Sequence, residues 1–453
     1  MELLHALDQL HLQKLMGDTY DKVLTKFSLI YYRSKYKIVL NIPGQIVYDN
    51  QVKVPLASTG LRAEDISAAI SVLNSGNLTM GGKVSQFESQ MASYLNVKHF
   101  VMMNSGSSAN LAIIEALLRP TSKEPYLNQG NGVLVPAIAW PTTIWPLIQL
   151  GLKPCFVDVE KDTLAIDLEK AQSLIDDNKG IIKAIFPIHP MGYGIDSAKL
   201  LDFTDKNNLV LINDVCESLG SWKSGKHAGT SGIAGSFSFY FSHHITTMEG
   251  GGVSTNDDTF ADDLRSIRSH GWSRNRHDAD IWHKNISTNE SKFLFVSTGY
   301  NIRPMEIQAA IGISQLKDID YFINKRKQNA LKLYEVIEKS NIELIGAETL
   351  KESQEPKLHS WMMLPVLLKQ NFSKPRQEVI ESLNSFGIET RPVLTGNFLR
   401  QPSMERISKG AYLSTETNVS DLIAANAFMI GNHHDFSDEQ VDLVLEAFKE
   451  ILK

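Results

Sequence analysis

Cysteine is nearly absent from this chain: of 453 residues, only Cys155 and Cys216 carry a thiol. Two thiols exclude a disulfide framework and fall short of the four thiolates that hold an iron–sulfur cluster. No chemistry that depends on such a cluster, or on an iron–sulfur reductase partner, is expected. Long apolar runs are missing as well. No stretch approaches the ~20 continuous apolar residues of a membrane span, and the N-terminus lacks a basic start followed by an apolar block. No membrane partner is therefore expected, and the cytoplasm is the default location. Positive charge is not in excess either, with 45 Lys and Arg against 51 Asp and Glu and a formal net charge of −6. That balance argues against a nucleic-acid partner.

What is present, 43% hydrophobic and 21% charged residues, suits a globular protein of about two or three domains. Residues 1–51 read as an N-terminal extension, amphipathic through Leu3, Leu4, Leu7, Leu10 and Leu12 and then strand-like over FSLIYYRSKYKIVL. From Val54 onward apolar strands alternate with amphipathic helices, the pattern of an α/β fold with a mostly parallel sheet. Residues 52–320 read as a large domain and 321–453 as a smaller α+β domain, joined by a long helical connector. The polar stretch that follows HGWSRNRHD, up to about residue 292, reads as a long surface loop.

The chemistry concentrates in residues 209–253. The apolar run LVLI ends at Asp214, which puts a carboxylate at a strand's C-terminal edge, where open α/β sheets hold ligands. A carboxylate there suits a protonated pyridine nitrogen, and Glu217, three residues on, suits the phenolic oxygen of the same ring. After a Gly-rich turn the run GSFSFYF reads as a second strand that delivers Ser238 and, five positions later, His243. Serine followed by lysine at this spacing would serve a phosphate and an imine to pyridoxal phosphate; here a histidine stands in the lysine's place. Imidazole cannot form that imine, but it titrates near neutrality and moves protons in either direction. The motif NSGSSAN, between an apolar strand and a helical pattern, exposes a helix N-terminus where Gly106 and Ser107 are candidate phosphate contacts. Trp140 is either a stacking partner for a pyridine ring or an ordinary core residue.

Taken together, SGSSAN, the tryptophan of VPAIAW, NDVCE, SFSFYFSHHITTMEGG, RSHGW and GYNIRPMEIQAAIGISQL resemble the sugar aminotransferase and dehydratase superfamily of fold type I pyridoxal phosphate enzymes. The resemblance spans roughly residues 52–453. Histidine in place of lysine marks its sugar 3-dehydratases, and LTMGG, HHITTMEGG, RSHGWSRN and RPVLTGNF are most similar to the branch that acts on GDP-linked 4-keto-6-deoxy sugars. The related CDP-sugar branch carries an iron–sulfur cluster, for which this chain has too few cysteines.

The resemblance implies a cofactor, pyridoxal 5'-phosphate alternating with pyridoxamine 5'-phosphate, bound without a covalent link. It implies that Gly106, Ser107 and Ser238 hold the phosphate, Trp140 stacks, Asp214 pairs with the ring nitrogen, Glu217 approaches the ring hydroxyl, and His243 is the catalytic acid and base. Asn301 is expected to reach a neighbouring subunit's phosphate in a homodimer. His270 and Arg303 are expected to contact the carboxylates of L-glutamate, and Asn77, Leu78, Thr79, Arg274, Glu389 and Arg391 the nucleotide sugar. No metal is expected. The alternatives are an aminotransferase-like protein and a non-catalytic dimeric binding protein of the same fold.

Overall fold

A computed structural model describes residues 52–58, 60–121, 123–351, 358–408 and 410–453. The expected N-terminal extension, 1–51, lies outside the described residues. Short apolar runs form the first strands: β1 (His99–Met103), β2 (Gly132–Pro136), β3 (Lys153–Val157), β4 (Ile182–Ile185), β5 (Val210–Asp214), β6 (Ala234–Ser238) and β7 (Gly251–Thr255). Farther along come β8 (Ile342–Leu344), β9 (Met363–Leu368), β10 (Thr390–Arg391), β11 (Leu413–Ser414) and β12 (Ala427–Gly431). The large sheet has eight strands in the order β1-β7-β6-β5-β4-β2-β3-β11. Only β7 runs against the others, pairing antiparallel with both β1 and β6. All five residues of β2 are buried, as expected for a strand covered on both faces. The second sheet, β8-β9-β12-β10, is antiparallel throughout.

The strand order brings the C-terminal ends of β2, β4, β5 and β6 to one edge. At that edge also lies the start of α1 (Gly106–Leu118), the helix that follows β1. Ten of its thirteen residues are buried, the mark of a helix apolar nearly all round. Ser105 caps it by accepting a hydrogen bond from the Ser108 N–H at 3.1 Å. The helix can lie this close to the sheet only because the neighbouring strand carries glycine: a Cβ at Gly251 would sit 2.3 Å from the Gly106 nitrogen. Helix α2 (Pro141–Gln149) follows β2, with Trp140 at its N-cap and proline at the first helical position. Toward the C-terminus α3 (Glu306–Leu316) and α4 (Ile319–Ile337) lead into the second sheet.

Two segments differ from the sequence expectation. GSFSFYF is not a single strand: β6 ends at Ser238, where its ladder to β7 closes at the Ser238–Gly251 pair. Residues 239–250 instead leave as a looped excursion, closed at its base by Phe239 N–H donating to Gly250 O and Thr247 N–H to Phe239 O, both 2.9 Å. The stretch up to residue 292 is not a continuous loop either. It holds the short helices Ala279–His283 and Thr288–Ser291, the second capped by Ser287, because Ser, Thr, Asn and Asp can start a helical turn as readily as interrupt one. Beyond the second sheet, β11 returns to the large sheet and pairs in parallel with β3, while Val54 bridges to Ile388.

Candidate active site

A cleft of about 340 Å³ opens at this edge, lined among others by Gly106, Ser107, Trp140, Asp214, Glu217, Ser238, His243 and Arg391. Asp214, the last residue of β5, forms part of its floor and is 4% exposed. Its carboxylate is fixed from three directions. Asn110 Nδ2 and Thr143 Oγ1 donate to one oxygen at 2.9 and 2.7 Å, and the Cys216 N–H donates to the other at 3.1 Å. Asn110 lies four residues after Gly106 on α1 and Thr143 lies in the first turn of α2, so two helix starts orient one carboxylate. Glu217 is buried nearby and accepts from the Met191 N–H at 3.0 Å. Met191 adopts a left-handed backbone, φ +50°, a strain that commonly marks functional sites. Burial pushes the Glu217 carboxyl up to about 7, against the opposing pull of Arg391.

His243 enters from the excursion between β6 and β7. Its Nδ1 lies 3.4 Å from the Ser238 carbonyl oxygen, an acceptor only, so the hydrogen resides on Nδ1 and the lone pair on Nε2. Burial in the cleft wall pushes the imidazole down to about 4, with Arg391 and Arg326 adding to the effect. The ring is therefore neutral across the physiological range, a base rather than an acid in the open cleft. His244 points elsewhere: its Nε2 lies 3.2 Å from the Ser360 carbonyl oxygen and the residue is 1% exposed. The excursion is held at further points by α3. Gln315 Oε1 accepts from the Thr246 N–H at 2.8 Å, and Gln308 Nε2 donates to the Glu249 carbonyl at 2.5 Å.

These residues fit an aromatic, phosphorylated cofactor. At Gly106 a Cβ would fall 2.6 Å from the Ser238 Cβ and 2.9 Å from the Cys216 sulfur, so glycine is what keeps the helix start open beside the Ser107 and Ser238 hydroxyls. A helix start of this kind attracts anions through its dipole and amides. Trp140 is 49% exposed although it lines the cleft, which leaves an aromatic face available, and Asp214 offers an acceptor at the floor.

Other residues singled out from the sequence lie outside this cleft. Asn77 and Thr79 line a separate depression of about 620 Å³ with Glu306, while Leu78 is 49% exposed and its carbonyl accepts from the Glu306 N–H. His270 and Asn301 are exposed, and the Ser269–Asn301 bridge and the His270 N–H bond to Tyr300 O hold their segments together. Arg274 is exposed and lies over the Trp272 ring. Arg303 is half-buried outside the cleft lining. Glu389 accepts from the Leu56 N–H at 2.9 Å, beside Arg391, which does reach the cleft. Sequence reasoning missed Asn110 and Thr143. The spacing of Asn110 from Gly106, one helical turn, was the available signal.

Residues 60–449 match the DegT/DnrJ/EryC1/StrS aminotransferase family. The chain belongs to this family. Among its relatives is the GDP-4-keto-6-deoxy-D-mannose 3-dehydratase of Yersinia pseudotuberculosis, 37% identical over 401 residues that cover 88% of this chain and 99% of that one. Two solved structures of GDP-4-keto-6-deoxymannose-3-dehydratase are similar in fold to this family member. One, a histidine-to-asparagine mutant with bound GDP-perosamine, is 35% identical with a TM-score of 0.80, covering 87% of this chain and all of that one. The other, with a trapped PLP-glutamate geminal diamine, is 36% identical with a TM-score of 0.79, covering 88% and 100%. Among the described residues no helix is long and apolar enough to cross a membrane.

Proposed function

We propose that this protein is a pyridoxal phosphate-dependent sugar-nucleotide 3-dehydratase. It removes the C3 hydroxyl of GDP-4-keto-6-deoxy-D-mannose with L-glutamate as amino donor, giving GDP-4-keto-3,6-dideoxymannose, 2-oxoglutarate and ammonia. The observation that carries this reading is His243: a side chain that moves protons but forms no imine lines the cleft beside Ser238, in the same cleft as a carboxylate clamped for a ring nitrogen. An aminotransferase needs an amine at that place to exchange imines.

When bound, pyridoxal phosphate supplies an electron-withdrawing ring and carries the amino group taken from glutamate. Gly106, Ser107 and Ser238 would hold its phosphate, Trp140 its face, Asp214 its nitrogen and Glu217 its hydroxyl. His243 Nε2, with its lone pair free, is the group that takes the proton from glutamate's Cα, and the bound cofactor would supply the sink for the electron pair left behind. In the dehydration half the bound cofactor would supply the electron pair that expels the C3 hydroxyl, and His243 Nε2 would carry the proton released with that pair to the departing oxygen, so that water leaves rather than hydroxide. Asn110 and Thr143 keep Asp214 an acceptor throughout. We further propose a division into a large domain, 52–320, and a small one, 321–453, and a homodimer. In that dimer Asn301 and its neighbours His270, Arg274 and Arg303, and the Asn77–Thr79 segment, complete the adjoining subunit's cleft, a reading supported by their lying outside their own cleft, all but the half-buried Arg303 exposed.

The test is turnover of purified protein with pyridoxal phosphate, glutamate and GDP-4-keto-6-deoxymannose. Ammonia and 2-oxoglutarate are expected to rise in step, without iron or a reductase. A stable amino sugar formed without ammonia would identify an aminotransferase instead.

A further inference from the structure

Arg326, on α4, is 0% exposed, yet among the described residues it forms no salt bridge with a carboxylate. A guanidinium so placed loses its hydration, and in a protein interior that loss must be offset by hydrogen bonds. Main-chain carbonyls provide them at the two terminal nitrogens, while Nε has no partner among the described residues. Nη1 donates to Met362 O at 2.8 Å and to Asn432 O, and Nη2 donates to His243 O at 3.1 Å. Burial lowers the guanidinium only to about 10, so it stays charged at neutral pH, and charge-assisted bonds of this kind are stronger than neutral ones.

The three carbonyls come from three separate places. Met362 immediately precedes β9, Asn432 immediately follows β12, and His243 sits in the excursion that enters the cleft. The grip on the second sheet is itself braced: Asn432 Nδ2 donates to Arg326 O at 3.1 Å and to Trp361 O at 2.7 Å, and Asn329 Nδ2 donates to Asn432 Oδ1 at 3.2 Å. Other anchors of the excursion act elsewhere: Gln315 and Gln308 at Thr246 and Glu249, and the Ser360 carbonyl at the His244 ring. Arg326 alone among these holds the peptide of His243. A pinned carbonyl restrains the peptide plane that follows His243 and so narrows the directions its Cα–Cβ bond can take, leaving the imidazole chiefly its two side-chain torsions.

We infer that Arg326 is a positioning residue for His243: by gathering the His243, Met362 and Asn432 carbonyls it ties the imidazole's direction to the second sheet. This rests on the reading of His243 as the proton-transfer group. A lysine offers a compact ammonium on a flexible stem and cannot reproduce a planar fork across three carbonyls, so Arg326→Lys keeps the charge and loses the geometry.

The experiment has two arms, both on the full chain. In the first, the crystal structure of Arg326→Lys is compared with that of the wild type; the His243 carbonyl is expected to be released and its imidazole turned within the cleft. An unchanged imidazole pose overturns the inference, whatever the protein's activity. In the second, the glutamate half-reaction is followed in pyridoxal phosphate-loaded protein. The lysine variant is expected to bind cofactor with wild-type affinity and to keep its KM for glutamate, while kcat falls about 10²-fold, the scale of a 1 Å misplacement. An unchanged kcat, or a loss that merely tracks lost cofactor, also overturns it. Should the lysine variant fail to fold, Asn329→Ala, which loosens the Asn432 segment that Arg326 grips, takes its place in both arms with the same direction of change and a smaller fall in kcat. A wild-type protein that binds the cofactor but leaves glutamate unchanged overturns the functional reading, and the crystallographic arm then still decides the role of Arg326.

Discussion

At the scale of single residues, the two adjacent histidines divide the labour. Both lie in the excursion beyond β6, not in a strand, so no strand alternation sets them apart. They diverge because each has a different carbonyl partner, Ser238 O for His243 and Ser360 O for His244. His243→Asn is expected to retain cofactor while losing glutamate conversion and dehydration by about 10²- to 10⁴-fold, the usual worth of a general base. His244→Asn is expected to keep the rate and to cost roughly 1–3 kcal/mol of stability through a disturbed buried hydrogen bond. Paired kinetics and thermal melts check this, and equal kinetic damage from both would reverse the assignment. Asp214, Ser238 and His243 were legible in the sequence because one stretch of chain carries all three. Asn110 and Thr143 were not, because each comes from a different helix and its meaning appears only when the helices meet.

At the scale of elements, the site depends on the start of α1 lying against β6 and β7. Gly106 faces the Ser238 Cβ and the Cys216 sulfur, and Gly251 faces the backbone of Ser105 and Gly106. The contact is tight enough that one methyl group tests it. Gly106→Ala is expected to shift the helix start, to cost about 1–3 kcal/mol as overpacking usually does, and to weaken pyridoxal phosphate binding more than it weakens folding. Cofactor titration beside a denaturant melt measures both, and an alanine variant with undiminished cofactor affinity would mean the phosphate lies elsewhere. The strands and α1 were legible through apolar runs and a serine cap. The excursion was not, since GSFSFYF alternates like a strand and only the ending of its ladder with β7 stops it at Ser238.

At the scale of the whole molecule, the α/β alternation announced a mostly parallel sheet, and the sheet bears this out with β7 as its one reversed strand. What the sequence could not reveal was the return of β11 to the large sheet, because a two-residue strand has no periodicity to read. Buried histidines give the molecule a pH signature. Burial lowers His189, His227 and His359 from 6.5 to about 4, 3 and 3. The unfolded chain takes up these protons near 6.5 and the folded chain does not, so their contribution is complete above that pH and is lost as the pH falls toward 4. Glu217, raised to about 7 by burial, acts oppositely, favouring the folded state at low pH and losing that contribution as the pH rises through 7. With His243, which burial lowers in the same way, four groups outweigh one, so the apoprotein's Tm is expected to fall steadily from pH 7 to pH 5, and calorimetry showing a constant or rising Tm there would contradict it.

With His243 in the place of a cofactor-linking lysine, pyridoxal phosphate is expected to be held by contacts alone. Borohydride reduction of the pyridoxal phosphate-loaded protein, followed by intact mass measurement, tests it most directly. The wild-type polypeptide is expected to keep its unmodified mass, and His243→Lys, treated identically, to gain one pyridoxyl group; a stoichiometric pyridoxyl adduct on the wild-type chain would contradict the account.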